Sequence, residues 1–317
     1  MRGLVLTAGL GTRLRPLTLA RAKAAAPVDG EPLARRTIRW LVGHGIRDLV
    51  LNLHHRPESI TAAVGDGSDL GARVRYSWES PILGSAGGPR HALPLLLDGA
   101  GTETFVLVNG DTLTNVDLPR MIETHRASGA MVTMALIPNP RPDKYGSVLL
   151  DERHAVTAFT RRDSSGAPRG PDGAERYHFI GPQVVQAEVF ADLADGVPAE
   201  TVLDLYPRLM RDRPGSVRGF PDDWSFQDIG TPADLLETSL ALAAADGRPD
   251  RPRWGRDVRV DPSARVERSV LWDGVTIGAD ADVAECVVAD GVVVPAGGRF
   301  RRVALVNGPD GLVVSPL

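Results

Sequence analysis

The chain has 317 residues, 43% of them hydrophobic and 24% charged, with a net charge of -4. That is the profile of a globular protein with one large domain and an appendage, or two medium domains, and it counts against nucleic acid or an anionic membrane as the main partner. No apolar stretch approaches the length of a membrane span, and Met1–Thr7 reads as a first strand, not a signal peptide. Cys286 is the only cysteine, which excludes an internal disulfide and points to a reducing, cytoplasmic setting.

In chain order, the first two-thirds alternates apolar runs with helix-like segments, the pattern of an α/β domain with a largely parallel sheet. Strands are expected at 4–6, 49–53, 72–78, 105–108 and 131–137, whose continuous apolar runs suit a sheet covered on both faces. A helix is expected over 35–44, with Ile38, Leu41 and Val42 on one face. From Tyr145 to Arg162 stronger alternation predicts edge hairpins, and Pro232 to Ala245 reads as a helix with Thr231 as its N-cap. Residues 246–256 have linker composition, separating a domain over 1–245 from a region over 257–317. In that last region apolar residues fall at Val260, Val266, Trp272, Ile277, Val283, Val288 and Val294, a six-residue spacing with two one-residue slips. Hexad spacing predicts a short left-handed parallel β-helix; an ordinary β-rich tail is the plain alternative.

Three segments carry chemistry. The first strand runs into Ala8-Gly9-Leu10-Gly11-Thr12-Arg13-Leu14-Arg15-Pro16-Leu17-Thr18. Two glycines let the backbone turn and present N–H groups to an anion, Thr12 adds a hydroxyl, and Arg13 adds a forked cation. A dinucleotide fingerprint is excluded because Leu14 stands where its third glycine belongs, and no Gly-Lys-Ser/Thr follows for a Walker loop. Phe105–Val108 leads into Asn109-Gly110-Asp111, at the strand end where open parallel sheets bind ligands; an aspartate there can hold Mg²⁺ against a triphosphate. Of 36 basic residues only Lys23 and Lys144 are lysine, which makes Lys23, set among alanines, a candidate point charge for phosphate.

The run from Gly9 to Thr18 resembles the signature of sugar-1-phosphate nucleotidylyltransferases, Gly-x-Gly-Thr-Arg-Leu-x-Pro-Leu-Thr. The resemblance implies a Rossmann-like nucleotidyltransferase domain with a mostly parallel mixed sheet. It implies that the loop from Ala8 wraps a nucleoside triphosphate, that Arg13 neutralises the leaving pyrophosphate, and that Lys23 meets the phosphates, although Ala22 replaces the family's proline. It makes Asp111 one Mg²⁺ ligand and, through Asp228-Ile229-Gly230-Thr231-Pro232, Asp228 the other. Glu79-Ser80-Pro81-Ile82-Leu83-Gly84-Ser85-Ala86-Gly87-Gly88 resembles the base-reading loop of guanylyltransferases, with an extra Ile82. There Glu79 would read guanine, with the backbone at Gly84 and Ser85 against the base and Gly110 beside the nucleotide. Lys144-Tyr145-Gly146 resembles a loop near the sugar. The family's Phe-x-Glu-Lys-Pro becomes Phe159-Thr160-Arg161-Arg162-Asp163, so either Arg162 takes the sugar phosphate while Arg161 reverses the hydroxyl-binding charge, or the two arginines form a solvated turn. The Asn-x-Gly of the next strand becomes Phe179-Ile180-Gly181, losing its asparagine.

The expected reaction joins a nucleoside triphosphate, GTP before UTP, to a hexose 1-phosphate resembling mannose 1-phosphate. Alternatives are a uridylyltransferase for an amino-sugar 1-phosphate and a catalytically silent subunit that binds nucleotide-sugar. An acyltransferase on the β-helix is disfavoured by its few coils and lack of a catalytic histidine. The end of so short a coil is a candidate surface for homo-oligomer formation.

Overall fold

A computed structural model describes residues 1–98, 103–162 and 175–317. Asp163, quoted above, lies outside the described residues. The chain forms two compact units interleaved in sequence: 1–8, 37–54 and 65–226 make one, and 9–36, 55–64 and 227–317 make the other.

The first unit is built on a mixed sheet with nine strands among the described residues. They are β1 (Arg2–Leu6), β2 (Asp48–Leu53), β3 (Arg73–Trp78), β4 (Thr104–Asn109), β5 (Val132–Pro138), β6 (Ser147–Leu150), β7 (Val156–Thr160), β8 (Tyr177–Gln186) and β9 (Val217–Pro221). β1 lies between β2 and β4, parallel to both, with Leu4 opposite Val50 and Leu107. β8 runs antiparallel to β4 and β5, and its register shifts between Phe179 and Gln183. The sequence reading placed β1 to β5 and the β6–β7 hairpin to within a few residues. Two helices it left unassigned flank the motifs, Gly84–Leu97 and Leu118–Ser128. The first contains Pro89 and Pro94, residues that argue against a helix when read locally. Leu4, Val50, Phe105, Leu107, Met134, Phe190 and Tyr206 belong to one buried cluster, so the middle of the sheet's central strands is fixed by packing.

His125 sits on the inner side of the helix Leu118–Ser128. It is buried, with Nδ1 2.9 Å from Thr133 Oγ1 and Nε2 without a hydrogen-bond partner among the described residues. Burial, aided by the charge of Arg126, pushes its pKa down to about 4. The unfolded imidazole takes a proton near pH 6.5 while the folded one stays neutral, so its contribution to stability is complete above that pH and is lost as pH falls towards 4. Urea unfolding at pH 7 and pH 5 is expected to show about 2 kcal/mol lower stability at pH 5 from this group alone. In His125→Leu most of that difference disappears; an unchanged difference would place the acid sensitivity elsewhere.

In the second unit the helix Pro232–Ala245 begins with a capping box: Thr231 accepts from the Asp234 amide, and Asp234 accepts from the Thr231 amide. The C-terminal region is a coil of short parallel strands whose register repeats every 17 residues, as in Val266 opposite Val283 and Ile277 opposite Val294. Its buried interior carries Leu271, Ile277, Val283, Val288, Val294 and Leu305, with Val260, Val266 and Phe300 packed against it. The spacing is therefore six, five and six in each turn, and the slips are part of the repeat. One position is corrected: Leu271, not Trp272, fills the coil interior, and Trp272 is buried on the outside beneath Arg21.

Candidate active site

In the first unit β1 ends at Leu6, and the next two residues are fixed by Asn52 at the end of β2. Asn52 Oδ1 accepts from the amides of Thr7 (2.6 Å) and Ala8 (3.3 Å), and its Nδ2 donates to Glu79 Oε1 (2.7 Å). The Thr7 hydroxyl donates to the Asn52 carbonyl. The other Glu79 oxygen accepts from the Leu83 amide at 2.8 Å, and the residue is only 5% exposed. Both its oxygens are committed to protein donors, and it ties the start of the phosphate loop to the loop before the helix Gly84–Leu97. Gly88 completes this cluster, since a Cβ there would lie 2.6 Å from Glu79 Oε1 and 2.9 Å from Asn52 Nδ2.

Gly84 and Ser85 also have protein partners. A Cβ on Gly84 would meet the Ala199 carbonyl and Glu200 Oε1, each at 2.7 Å, and the Ser85 hydroxyl donates to Glu200 Oε2 at 2.5 Å. The Thr201 amide returns a bond to the same hydroxyl at 2.9 Å. These residues dock the helix N-terminus on the segment Ala199–Thr201, a long-range partner that sequence gave no means of choosing.

Asn109-Gly110-Asp111 turns at the end of β4. The Gly110 amide donates to the Leu6 carbonyl at 2.9 Å, and a Cβ would stand 2.7 Å from Thr7 Cγ2, so only glycine lets this turn close on the end of β1. Asp111, half-buried, follows it and accepts a long 3.5 Å bond from Thr112 Oγ1. Gly181, at φ 111°, covers the same turn: a Cβ would come within 3.1 Å of Asn109 Nδ2 and 3.3 Å of Thr112 Oγ1. The structure thus brings together Gly110, Asp111 and Gly181, which are separated by some seventy residues.

Tyr145 stacks on His178 with centroids 4.3 Å apart, and Phe226 stands edge-on to both rings. Sequence reading missed His178 and Phe226. Asn139 shapes this loop by donating to Ser147 Oγ and accepting from the Arg141 amide. Gly146 and the exposed Arg162 line a groove of about 1240 Å³, together with Phe159, Leu203 and Met210.

The second unit holds the remaining motif residues. Gly11, at φ 59°, packs where a Cβ would meet Thr18 Cγ2 at 2.8 Å and Lys23 Cβ at 3.1 Å. The Thr18 hydroxyl donates to the Gly11 carbonyl, and Thr12–Leu14 form one 3₁₀ turn. A Cβ on Gly9 would meet nothing within 4 Å, leaving the loop backbone accessible at that position. Lys23 opens a further 3₁₀ turn. Arg13 Nη1 lies 3.5 Å from Asp228 Oδ2, with side-chain exposures of 61% and 15%. A Cβ on Gly230 would stand 2.6 Å from Arg13 Nη1, so glycine there lets the guanidinium lie against the backbone. Asp234, through the capping box, accepts from the Gly230 amide as well and fixes the Asp-Ile-Gly-Thr-Pro segment. Among the described residues no three His, Cys, Asp or Glu side chains are grouped to cage a metal. A Mg²⁺ bound by one or two carboxylates and completed by phosphate oxygens and water does not require such a cage.

Residues 2–245 match the family described as Nucleotidyl transferase, and residues 253–300 match the GlmU-like C-terminal hexapeptide family. Among curated proteins the chain is 29% identical to the mannose-1-phosphate guanylyltransferase of Mycobacterium tuberculosis, covering 94% of this chain and 82% of that one. It is also 29% identical to probable mannose-1-phosphate guanylyltransferase 1 of Oryza sativa, over 97% and 82%. Among solved structures, HddC from Yersinia pseudotuberculosis complexed with GMP-PN superposes with a TM-score of 0.61 at 21% identity, covering 76% of this chain and all of the other. That likeness shows the fold. The chain belongs to the nucleotidyl transferase family. It is a nucleotidyltransferase enzyme that carries a C-terminal hexapeptide-repeat region with the parallel strands of a left-handed β-helix.

Proposed function

We propose that this enzyme transfers a guanylyl group from GTP to a hexose 1-phosphate of the mannose 1-phosphate kind. In this reading an oxygen of the sugar phosphate attacks the α-phosphorus, the bond from that phosphorus to the bridging oxygen breaks, and pyrophosphate leaves with the electron pair. The sugar phosphate is already ionised at neutral pH, so no general base is needed; the protein's work is orientation and charge neutralisation. The observation that carries the reaction class is the exposed Arg13 held beside Asp228 on the glycine turn, a cation placed for phosphate next to an acid suited to a metal. The preference for guanine and mannose rests on similarity along nearly the whole chain to guanylyltransferases.

Residues 1–245 are assigned to catalysis, 246–256 to a linker and 257–317 to the coil. Thr12, Arg13, Lys23 and the backbone of Ala8, Gly9, Gly11 and Gly110 are assigned to the nucleotide. Tyr145, Gly146, Arg162 and Gly181 are assigned to the sugar phosphate. Asp111 and Asp228 are the acids assigned to Mg²⁺, which when bound would draw charge from the phosphates. Glu79 and the backbone at Gly84 and Ser85 are assigned to the base, with the Glu79 carboxylate oriented by Asn52 and the Leu83 amide.

A pyrophosphate-release screen tests this, crossing GTP, UTP, ATP, CTP and dTTP with a panel of sugar 1-phosphates in MgCl₂. The expected result is turnover with GTP and mannose 1-phosphate. Turnover confined to UTP would overturn the base assignment. No turnover with any pair, alongside retained binding of nucleotide-sugar, would instead identify a regulatory subunit.

A further inference from the structure

The coil presents a repeated Asp-Gly or Asn-Gly step at one corner, in Trp272-Asp273-Gly274, Ala289-Asp290-Gly291 and Val306-Asn307-Gly308. These are seventeen residues apart and therefore stack in successive turns. Asp273 N donates to Asp290 Oδ1, and Asn307 Nδ2 donates to the Asp290 carbonyl. Stacked like-charged acids repel and would be unfavourable unless a cation were shared between them.

Arg21 is that cation. Its Nε and Nη2 form a two-pronged contact with Asp290, each bond 2.6 Å, and Nη2 also donates to Asp273 Oδ2 at 2.8 Å. The guanidinium lies 5.6 Å from the centre of the buried Trp272 ring, and its side chain is 18% exposed. Burial opposes the charge on Arg21, but the hydrogen bonds and attraction from Asp290 and Asp273 outweigh it and raise its pKa. This is far more constraint than an ordinary surface ion pair provides.

Arg21 stands two residues before Lys23. Between them, the Ala22 amide donates to Ser59 Oγ at 2.9 Å, and Lys23 Cβ lies 3.1 Å from where a Cβ on Gly11 would stand, next after Thr18 Cγ2. The coil strand Val303–Gly308 also packs against the turn Leu17–Leu19, earlier in the same short segment. The segment joining the glycine turn to Lys23 is therefore held by the coil at two points and has little regular structure of its own.

We propose that Asp273 and Asp290 of the coil, acting through Arg21, are positioning residues for Lys23 and the glycine turn, so that the coil sets the geometry with which the enzyme binds nucleotide. The inference rests on the nucleotidyl-transfer reading given above. It distinguishes the coil from a passive appendage: loosening one acid at its corner alters binding of the nucleoside triphosphate and leaves the sugar phosphate alone.

The test uses the full chain and the variants Asp290→Asn, Arg21→Lys and Arg21→Ala, with Glu267→Gln as a control on another strand of the coil. Calorimetric titration with GTP in MgCl₂ reports nucleotide binding, and steady-state kinetics report KM for each substrate. Small displacements of a positioning loop cost up to about a hundredfold, so Asp290→Asn is expected to weaken GTP binding and raise its KM by roughly tenfold. KM for the sugar phosphate is expected to stay within about twofold of wild type. Arg21→Lys, which keeps the charge but cannot make the two-pronged contact, falls between wild type and Arg21→Ala. If Arg21→Ala does not fold, the two conservative variants still decide the question. Nucleotide affinity equal to wild type in both, or an equal rise in both KM values, overturns the proposal. Failure of the wild type to release pyrophosphate, with GTP still bound, would count against the reaction and leave the positioning result standing; a wild type that binds no nucleotide removes both.

Discussion

Asp111→Asn is expected to lower pyrophosphate release by at least roughly a thousandfold, equivalent to about 4 kcal/mol of transition-state stabilisation. The substitution is nearly isosteric, and an asparagine oxygen can still accept the long bond from Thr112 Oγ1, so the turn on Gly110 has no reason to change. What is lost is one negative charge at the end of a central strand. In a reaction between anions that charge is useful only through a cation, so the variant separates metal binding from folding. Circular dichroism and the unfolding midpoint are expected to match wild type, while the dependence on MgCl₂ concentration shifts upward or vanishes. Activity within about tenfold of wild type at saturating substrates and unchanged MgCl₂ dependence would remove Asp111 from the metal assignment, because loss of a direct ligand costs more than that.

The parts of this protein legible in sequence were those set by short-range pattern. Apolar runs marked β1, β2, β4 and β5 because strands buried on both faces leave a continuous signature. Thr231-Pro232 marked a helix start because the capping chemistry is local. Glycines at 11, 110 and 181 could be flagged, but their reasons could not: Gly110 is fixed by Thr7 and Gly181 by Asn109, contacts that depend on which strands neighbour one another. The coil shows the same limit. A hexad count selects Trp272 because a large apolar side chain outweighs Leu271 in a linear reading; only the seventeen-residue register shows that Leu271 fills the interior while the tryptophan is buried outside it, beneath Arg21. Glu79 was read from its resemblance to a base-reading loop, yet its environment is decided by Asn52, twenty-seven residues earlier, which nothing in its own segment singled out.

Asn52 is where the second large effect is expected. Asn52→Leu strips an acceptor from the amides of Thr7 and Ala8 and a donor from Glu79 in one step. Unpaired buried polar groups cost about 1–3 kcal/mol each, so with three of them a loss of at least roughly 3 kcal/mol in unfolding free energy is expected, together with strongly reduced affinity for nucleotide as the entry to the glycine turn loosens. Asn52→Asp is the sharper variant. It preserves the acceptor for both amides but sets a second carboxyl against Glu79 Oε1, which the asparagine nitrogen approaches to 2.7 Å. Two acids at that distance cannot both ionise cheaply, so the pair retains a proton in the folded state at a pH where the unfolded chain has lost it. Folded-state pKa raised above the unfolded value means stability present at low pH and lost as pH rises through the folded value. Asn52→Asp should therefore approach wild-type stability near pH 5 and fall behind it by pH 8, the reverse of the acid sensitivity that His125 confers. Urea unfolding of wild type and variant across that range measures the difference directly. A gap independent of pH would mean that Glu79 is not held against residue 52 in solution, and the network joining the phosphate loop to the helix Gly84–Leu97 would have to be redrawn.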